Sequence, residues 1–207
     1  MADDVPSPIN FHDLAQARAW EADTIVRRPY RASFFRAFAD ALNTEFPEPV
    51  SVLELGSGPG HLAQAILSNC NIGKYTALDF SDAMHTLARD RLQPFLAKTQ
   101  FVTRDFRDAD WPAGLEKFDA IVTMQAAHEV RHVRHLPVLL SRARSCLKDG
   151  GTLLFCDHYL KPETGNAALY ISRDEQIPML EAAGFCEVTL LLDEGGMALY
   201  RASELRI

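Results

Sequence analysis

The sequence contains no long apolar run, and we expect no secretory leader in its first residues. No stretch approaches the roughly 18 consecutive apolar residues that indicate a membrane-spanning helix. The first ten residues, MADDVPSPIN, carry acidic groups where a secretory signal has basic ones, and they contain no apolar core. We therefore expect no membrane partner and a cytoplasmic location.

Cysteine is also scarce, because the 207 residues contain only four. None of them forms a CxxC pair, so their spacing predicts neither a disulfide framework nor a zinc ribbon. Cys146, Cys156 and Cys186 lie in apolar segments, where a reduced and buried thiol is the ordinary outcome.

Positive charge is in deficit. Lys and Arg number 21 against 28 Asp and Glu, which gives a net charge of −7. Nucleic-acid-binding domains are usually basic, so we expect no nucleic-acid partner. The segment RRPYR at 27–31 is a local exception, and it leaves an RNA or protein substrate open as an alternative. The hydrophobic content of 47% is enough to build a core for one domain.

Short β-branched and apolar segments alternate with segments of helical periodicity. Residues 11–46 predict one or two helices, broken at Pro29. The later predicted helices cover 61–69, Ser81 as N-cap to about 95, 133–147 with a stop at 148–151, and Ser172 to about 183. The predicted strands cover 50–55, 75–80, a segment ending near Asp105, 118–125 and 152–159, followed by a hairpin over 187–203.

This alternation predicts an α/β fold with a Rossmann-like, doubly wound, mostly parallel seven-stranded sheet. The sheet ends in an antiparallel C-terminal hairpin that turns at residues 194–196. Residues 1–46 are interpreted as an N-terminal helical extension or lid, and residues 47–207 as the core, in one compact unit.

A glycine-rich loop follows the first predicted strand. In VLELGSGPGHLAQAI, Gly56, Gly58 and Gly60 stand between a strand and a helix. Glycine there permits a tight turn and a close approach of backbone to ligand. An acidic residue, Asp79, ends the next strand, where it is placed to accept hydrogen bonds from ribose hydroxyls.

At these residues the sequence resembles the class I S-adenosylmethionine-dependent methyltransferase family. ELGSGPG matches its first motif, LDFSDAM its second region, TRDF its third and FDAIVTMQ its fourth. The resemblance covers about residues 50–200. It implies S-adenosyl-L-methionine as cofactor and S-adenosyl-L-homocysteine as product.

The resemblance also implies individual roles. The loop from Gly56 to Gly60, with Ser57, would surround the methionine moiety, and Glu54 would lie near its ammonium group. Asp79 would bind the ribose diol. The predicted adenine site comprises Phe80, Met84, Asp105 and Phe106. Gln125 is predicted to contact the cofactor at the start of the acceptor pocket.

Two histidines follow strands whose carboxyl ends should lie on the acceptor side. His128 comes after the fourth strand and His158 ends the fifth. A neutral imidazole suits proton removal near pH 7, so we predict that one or both act on the acceptor or hold it. Nearby His132 and Tyr159 are candidate substrate contacts.

The segment HEVRH, 128–132, is also the zinc-protease pattern. On a helix, His128, His132 and His135 would share one face. A strand precedes the motif where a zincin has a helix, which argues against a protease, and Arg131 and Arg134 disfavour a cation nearby. We predict no metal ligand set, with a bound ion as the open alternative.

The N-terminal helices supply the remaining candidates. Trp20 and Tyr30 are predicted to wall the acceptor pocket. Arg28 or Arg31 is predicted to pair with the cofactor carboxylate or with an acidic acceptor, because guanidinium binds carboxylates through two parallel hydrogen bonds.

The sequence thus predicts a methyltransferase acting on a small molecule, at oxygen or nitrogen, as a monomer or homodimer. A protein that binds the cofactor without transferring methyl is the alternative from a different class. Formation of S-adenosylhomocysteine with a panel of acceptors separates the two.

Overall fold

A computed structural model describes residues 4–161 and 166–204. Within these residues, seven strands form one sheet in the order β3-β2-β1-β4-β5-β7-β6. All neighbouring pairs are parallel except β5–β7 and β6–β7. The strands are β1 Val50–Leu55, β2 Ile72–Asp79, β3 Thr99–Thr103, β4 Phe118–Met124, β5 Leu147–His158, β6 Glu187–Glu194 and β7 Met197–Ser203.

Six α-helices cover the sheet. They are α1 Leu14–Arg27, α2 Arg31–Glu45, α3 His61–Asn69, α4 Asp82–Arg91, α5 Leu136–Ser145 and α6 Gln176–Ala182. Short 3-10 helices occupy Gln93–Lys98, Ala127–Val130, Val133–His135 and Arg173–Glu175. The predicted α/β class, doubly wound sheet and C-terminal hairpin are confirmed.

The sheet has its switch point between β1 and β4. From β1 the order runs outward through β2 and β3 on one side, and through β4 and β5 on the other. The loops that leave the carboxyl ends of β1 and β4 therefore diverge to opposite faces and leave a crevice between them, which is where such sheets bind ligands.

The N-terminal helices pack on the rest of the chain. Phe34, Phe38 and Leu42 on α2 are buried in the same core as Val52 of β1 and Ile66 of α3. In α1, Ala17 packs with Met84 and Leu87 of α4. None of the helices in the described residues is long and apolar enough to cross a membrane.

Several predicted boundaries are wrong. The predicted helix stop at 148–151 is part of β5, which begins at Leu147 opposite Phe118 and passes through a register shift before it pairs regularly from Thr152. The strand β2 begins at Ile72, paired with Val50, rather than at Tyr75. The helix α4 ends at Arg91, before a 3-10 turn that contains Pro94.

We predict that Phe38→Ala destabilises the fold by about 3–5 kcal/mol, because it deletes a fully buried ring between α2 and the sheet. Urea denaturation followed by circular dichroism measures the free energy of unfolding. Arg36→Ala, on the exposed side of the same helix, is the matched control and should change that free energy by less than about 0.5 kcal/mol. A loss below about 1 kcal/mol for Phe38→Ala would show that α2 does not depend on this packing.

Candidate active site

The glycine loop turns back immediately after β1. The backbone N–H groups of Gly56 and Ser57 both donate to the Leu78 carbonyl, at 2.9 and 3.0 Å. A Cβ atom at Gly56 would lie 2.3 Å from the Cβ of Ala126, and the residue has a φ of +69°. Only glycine fits this point, where the loop after β1 meets the loop after β4.

A pocket beside this loop contains a buried acid and a half-buried guanidinium. We call it the glycine-loop pocket; its lining includes Arg31, Glu54, Gly56, Ser57 and Gln125. The hydroxyl of Tyr75 donates to Glu54 at 2.8 Å. Burial raises the pKa of Glu54 to about 8, against the lowering effect of that hydrogen bond.

Two donors in this pocket have no protein partner. The hydroxyl of Ser57 and the Nε of Arg31 are buried and make no hydrogen bond within the described part of the chain. Burial lowers the pKa of Arg31 to about 10, and the nearby Arg28 adds to this effect. Buried polar atoms of this kind indicate a polar ligand, since leaving them unpaired costs free energy. An amino acid moiety, with one ammonium and one carboxylate, fits Glu54 and Arg31.

Asp79, at the end of β2, is hydrogen-bonded to the backbone of the glycine loop. Its Oδ2 accepts from the Gly58 N–H at 2.8 Å, and its Oδ1 accepts from the Ser81 N–H at 2.9 Å. Burial raises the pKa of Asp79 to about 6, although these backbone donors oppose the shift. The carboxylate is therefore mostly ionised at pH 7.

A larger opening, which we call the main cleft, adjoins the glycine-loop pocket. Its lining combines predicted cofactor residues with residues from the loop after β4. The main cleft is lined by Phe11, Trp20, Arg28, Gly56, Gly58, Asp79, Phe80, Met84, Phe106, Gln125, Ala126, His128 and Glu129.

Asp105 differs from its predicted surroundings. Its carboxylate receives the guanidinium of Arg107, with Nε–oxygen distances of 2.9 and 3.0 Å. It lines a neighbouring opening with Phe80 and Phe106. Burial raises the pKa of Asp105, but the Arg107 hydrogen bonds and charge outweigh it and give a net lowering. An adenine amino group at Asp105 would share this carboxylate with Arg107.

The N-terminal segment, residues 4–12, is part of the predicted lid and borders the same side of the cleft. Phe11 and His12 contact Phe80 edge-on, with ring centroids 6.3 and 5.1 Å apart. Arg131 donates from its guanidinium to the carbonyls of Val5 and Pro6, both at 2.7 Å. Arg131 is almost fully buried, so it ties this segment to the loop after β4.

His128 is oriented by a carboxylate that was not predicted from the sequence. Its Nδ1 lies 2.8 Å from Oδ1 of Asp157, and its backbone N–H donates to Oδ2 of the same residue at 2.9 Å. Burial lowers the pKa of His128, but the charge of Asp157, its hydrogen bond and the nearby Glu129 outweigh burial and raise it. The Nε2 atom is 3.5 Å from Glu129, beyond a good hydrogen bond.

The rings of His128 and His158 converge as expected, with centroids 6.0 Å apart. The environment of His158 is nevertheless different. Its Nε2 lies 2.9 Å from the amide nitrogen of Gln125, and burial lowers its pKa to about 4. Gln125 has a φ of +57°, a conformation that is unusual outside glycine and places its side chain toward His158. Tyr170, also unpredicted, packs 5.2 Å from the ring of His128.

Four predicted substrate contacts lie apart from the main cleft. Arg31 faces the glycine-loop pocket, as described above. The ring of Tyr30 packs against Gly195 in the β6–β7 turn. The hydroxyl of Tyr159 donates to Asp193 on β6 at 3.1 Å. His132 accepts from the Arg134 N–H at 3.2 Å. Trp20 lines both the main cleft and the glycine-loop pocket.

The helical interpretation of HEVRH is wrong. A single 3-10 turn, Ala127–Val130, ends at Arg131 in the left-handed conformation with a φ of +65°, and His132 is extended. His128, His132 and His135 therefore do not share a helix face. Residues 4–161 and 166–204 contain no group of three or more His, Cys, Asp or Glu side chains that could hold a metal ion.

We predict that Gly56→Ala raises the Kd for S-adenosylhomocysteine by at least about tenfold, because the added methyl must displace Ala126. Isothermal titration calorimetry measures the Kd. Gly114→Ala is the control, since Gly114 has nearly the same φ, +71°, but open space around it. Equal Kd values for both variants would contradict the prediction that the contact with Ala126 limits cofactor binding.

Comparison with known proteins agrees with this geometry. Residues 52–151, just under half of the chain, match the family described as a methyltransferase domain. A reducing polyketide synthase, Preu2 of Preussia isomera, is 29% identical over 117 residues, which are 55% of this chain and 5% of that protein. The chain therefore corresponds to a small part of this relative's length.

Two solved structures have a similar fold. The CurJ carbon methyltransferase superposes with a TM-score of 0.65 and 18% identity, over 77% of this chain and 49% of that one. The N-methyltransferase NodS of Bradyrhizobium japonicum WM9, in complex with S-adenosylhomocysteine, gives a TM-score of 0.65 and 16% identity over 85% and 87%. Residues 52–151 therefore match a methyltransferase domain, and the fold is that of S-adenosylmethionine-dependent methyltransferases, with the glycine loop after β1 at the cofactor side.

Proposed function

We propose that this protein transfers a methyl group from S-adenosylmethionine to a small molecule, with His128 as the base that takes a proton from the acceptor. The observation that carries the proposal is the hydrogen bond between His128 and Asp157, in a cleft shared with the glycine loop. The bound cofactor supplies a methyl group already activated on a sulfonium.

The residues of the chain divide the remaining work. Glu54 and Arg31 hold the ammonium and carboxylate of the methionine moiety, and Asp79 holds the ribose hydroxyls. Phe80, Met84 and Phe106 enclose the adenine ring, since aromatic faces and a thioether suit a flat π system. These side chains fix the donor, so the rate then depends on how well the acceptor is aligned.

His128 takes the acceptor proton, and Asp157 orients and stabilises the His128 ring. Asp157 accepts from Nδ1 and so leaves the lone pair of Nε2 available on the other side of the ring. The imidazole takes the proton as the acceptor attacks, and the Asp157 charge stabilises the imidazolium that forms. His158, whose pKa lies at about 4, stays neutral and positions Gln125 through their 2.9 Å contact.

The acceptor atom is oxygen or nitrogen in this proposal, since a base contributes most where a proton must leave. A second candidate is an acidic carbon atom. The similarity to part of a polyketide synthase and to a carbon methyltransferase fold favours that candidate, and the same base would serve it.

We predict that His128→Gln lowers kcat by about 10²–10⁴-fold with an acceptor found by screening for S-adenosylhomocysteine release. In the unmodified protein, kcat should fall as the pH drops through the raised pKa of His128, because the protonated ring cannot accept. Asp157→Asn removes the charge that raises this pKa, so its inflection should move to lower pH.

A pH profile of kcat, with the Kd for S-adenosylhomocysteine as a check on folding, measures both effects. An unchanged kcat in His128→Gln would show that His128 is not the base. Cofactor binding without product from any acceptor would favour a protein that binds S-adenosylmethionine and does not transfer methyl.

We also predict that S-adenosylmethionine binding at pH 7 releases up to about one proton. Glu54, with a pKa of about 8, is mostly protonated in the free protein, and a bound ammonium group favours its ionised form. Calorimetric titrations in buffers of different ionisation enthalpy measure the release. Glu54→Gln should abolish it, and buffer-independent heats in the unmodified protein would contradict the role of Glu54.

A further inference from the structure

Arg28 is a charged group of the main cleft that the proposed reaction leaves without a task. It stands at the C-terminal end of α1, where its backbone N–H donates to Thr24 and Pro29 follows directly. Among the described residues, no carboxylate lies within 4.0 Å of its guanidinium. It lines the main cleft together with Gln125 and His128.

The other charged groups in the lining of the main cleft already have partners. Glu129 accepts from Arg131 at 3.0 Å, and Asp79 accepts from the N–H groups of Gly58 and Ser81. Neither carboxylate forms a direct ion pair with Arg28. This is notable in a chain whose net charge is −7.

The charge of Arg28 acts on the acceptor side of the cleft. It contributes to lowering the pKa of His158, and it opposes the rise in the pKa of Tyr170 that burial and Asp157 produce. Both rings lie within 6.0 Å of the ring of His128, measured between centroids. Arg28 and His128 line the same cleft.

The cofactor does not account for this charge. S-adenosylmethionine has a single carboxylate, at its methionine end, where Arg31 lies with Glu54 and the glycine loop. Arg28 is near enough to Arg31 for its charge to help lower the pKa of Arg31, but it lines the main cleft and is absent from the lining of the glycine-loop pocket. The neighbouring Arg27 also differs, since it pairs with Asp23 at 2.7 Å on the exposed side of α1.

We propose that the methyl acceptor carries a carboxylate, and that Arg28 binds it through paired hydrogen bonds while the reacting atom faces His128. This proposal rests on the proposed function and names its substrate class. One guanidinium neutralises one negative charge, so a carboxylate fits better than a phosphate dianion, which would keep a charge uncompensated. The indole of Trp20, in the same cleft, gives the rest of the acceptor an apolar wall.

The test uses the three hydroxybenzoates as probes, each beside its own amide and methyl ester. Binding is measured by calorimetry on the full chain loaded with S-adenosylhomocysteine, and turnover by release of that product from S-adenosylmethionine. At least one acid should bind about tenfold tighter than its amide or ester, as expected for a charge-assisted hydrogen bond.

Three variants separate the roles of the arginines. Arg28→Gln should erase the preference for the acid and leave the Kd for S-adenosylhomocysteine unchanged. Arg27→Gln removes the same charge one residue away and should keep the preference. Arg31→Gln should raise the Kd for S-adenosylhomocysteine by about tenfold, because it removes the partner of the methionine carboxylate.

Equal or absent binding of acids and amides would overturn the proposal. So would a preference that survives in Arg28→Gln, or a loss of cofactor affinity in that variant equal to the loss in Arg31→Gln. Arg28-dependent binding of acids with no product from any acceptor supports the anion site and removes the proposed methyl transfer. Turnover of uncharged acceptors alone keeps methyl transfer and overturns the role of Arg28.

Discussion

The near-contact between Gly56 and Ala126 is the constraint on which the site depends. The strands β1 and β4 are neighbours at the switch point of the sheet, so the loops that leave them must diverge within a few ångströms. Glycine on one loop makes room for the other. In the second loop, Gln125 takes a left-handed backbone and the chain turns so that His128 reaches Asp157 on β5.

Three buried carboxylates at the ends of strands illustrate how partners assign different tasks to the same chemical group. Glu54 has one hydroxyl donor, and its pKa rises to about 8. Asp79 has backbone donors, and its pKa rises only to about 6. Asp157 faces an imidazole, and although burial opposes it, the charge and hydrogen bond of His128 lower its pKa. The number and charge of the donors decide which acid is ionised at neutral pH.

Much of the fold was predictable, because glycine, proline and capping residues mark the ends of its elements. Pro29 separates α1 from α2, the Ser81 hydroxyl accepts from Met84 at the start of α4, and the Gly195–Gly196 pair closes the hairpin. The predicted cofactor residues occupy contiguous motifs, and the structure brings Gly56, Asp79 and Met84 to one cleft. The start of β5 was not, because a register shift against β4 extends that strand over a sequence typical of a helix end.

The acceptor side depends on contacts between distant residues, and sequence spacing carries little of that information. Asp157 stands directly before His158, yet only the sheet register reveals that its carboxylate reaches His128, 29 positions away. Tyr170 lies in a loop whose course no local pattern specifies. The spacing of HEVRH suggested a helix face for a related reason. The turn ends at Arg131, whose guanidinium binds the backbone of residues 5 and 6.

That anchorage of Val5 and Pro6 has a practical consequence for handling the protein. A purification tag fused before residue 4 would extend from a segment that contacts the main cleft. The tag could then alter the measured binding affinities. The strand β7 ends at Ser203, which pairs with Thr152 near the beginning of β5. These residues lie at the end of the sheet opposite the main cleft. A tag placed beyond the last residue is therefore the better choice for quantitative binding studies.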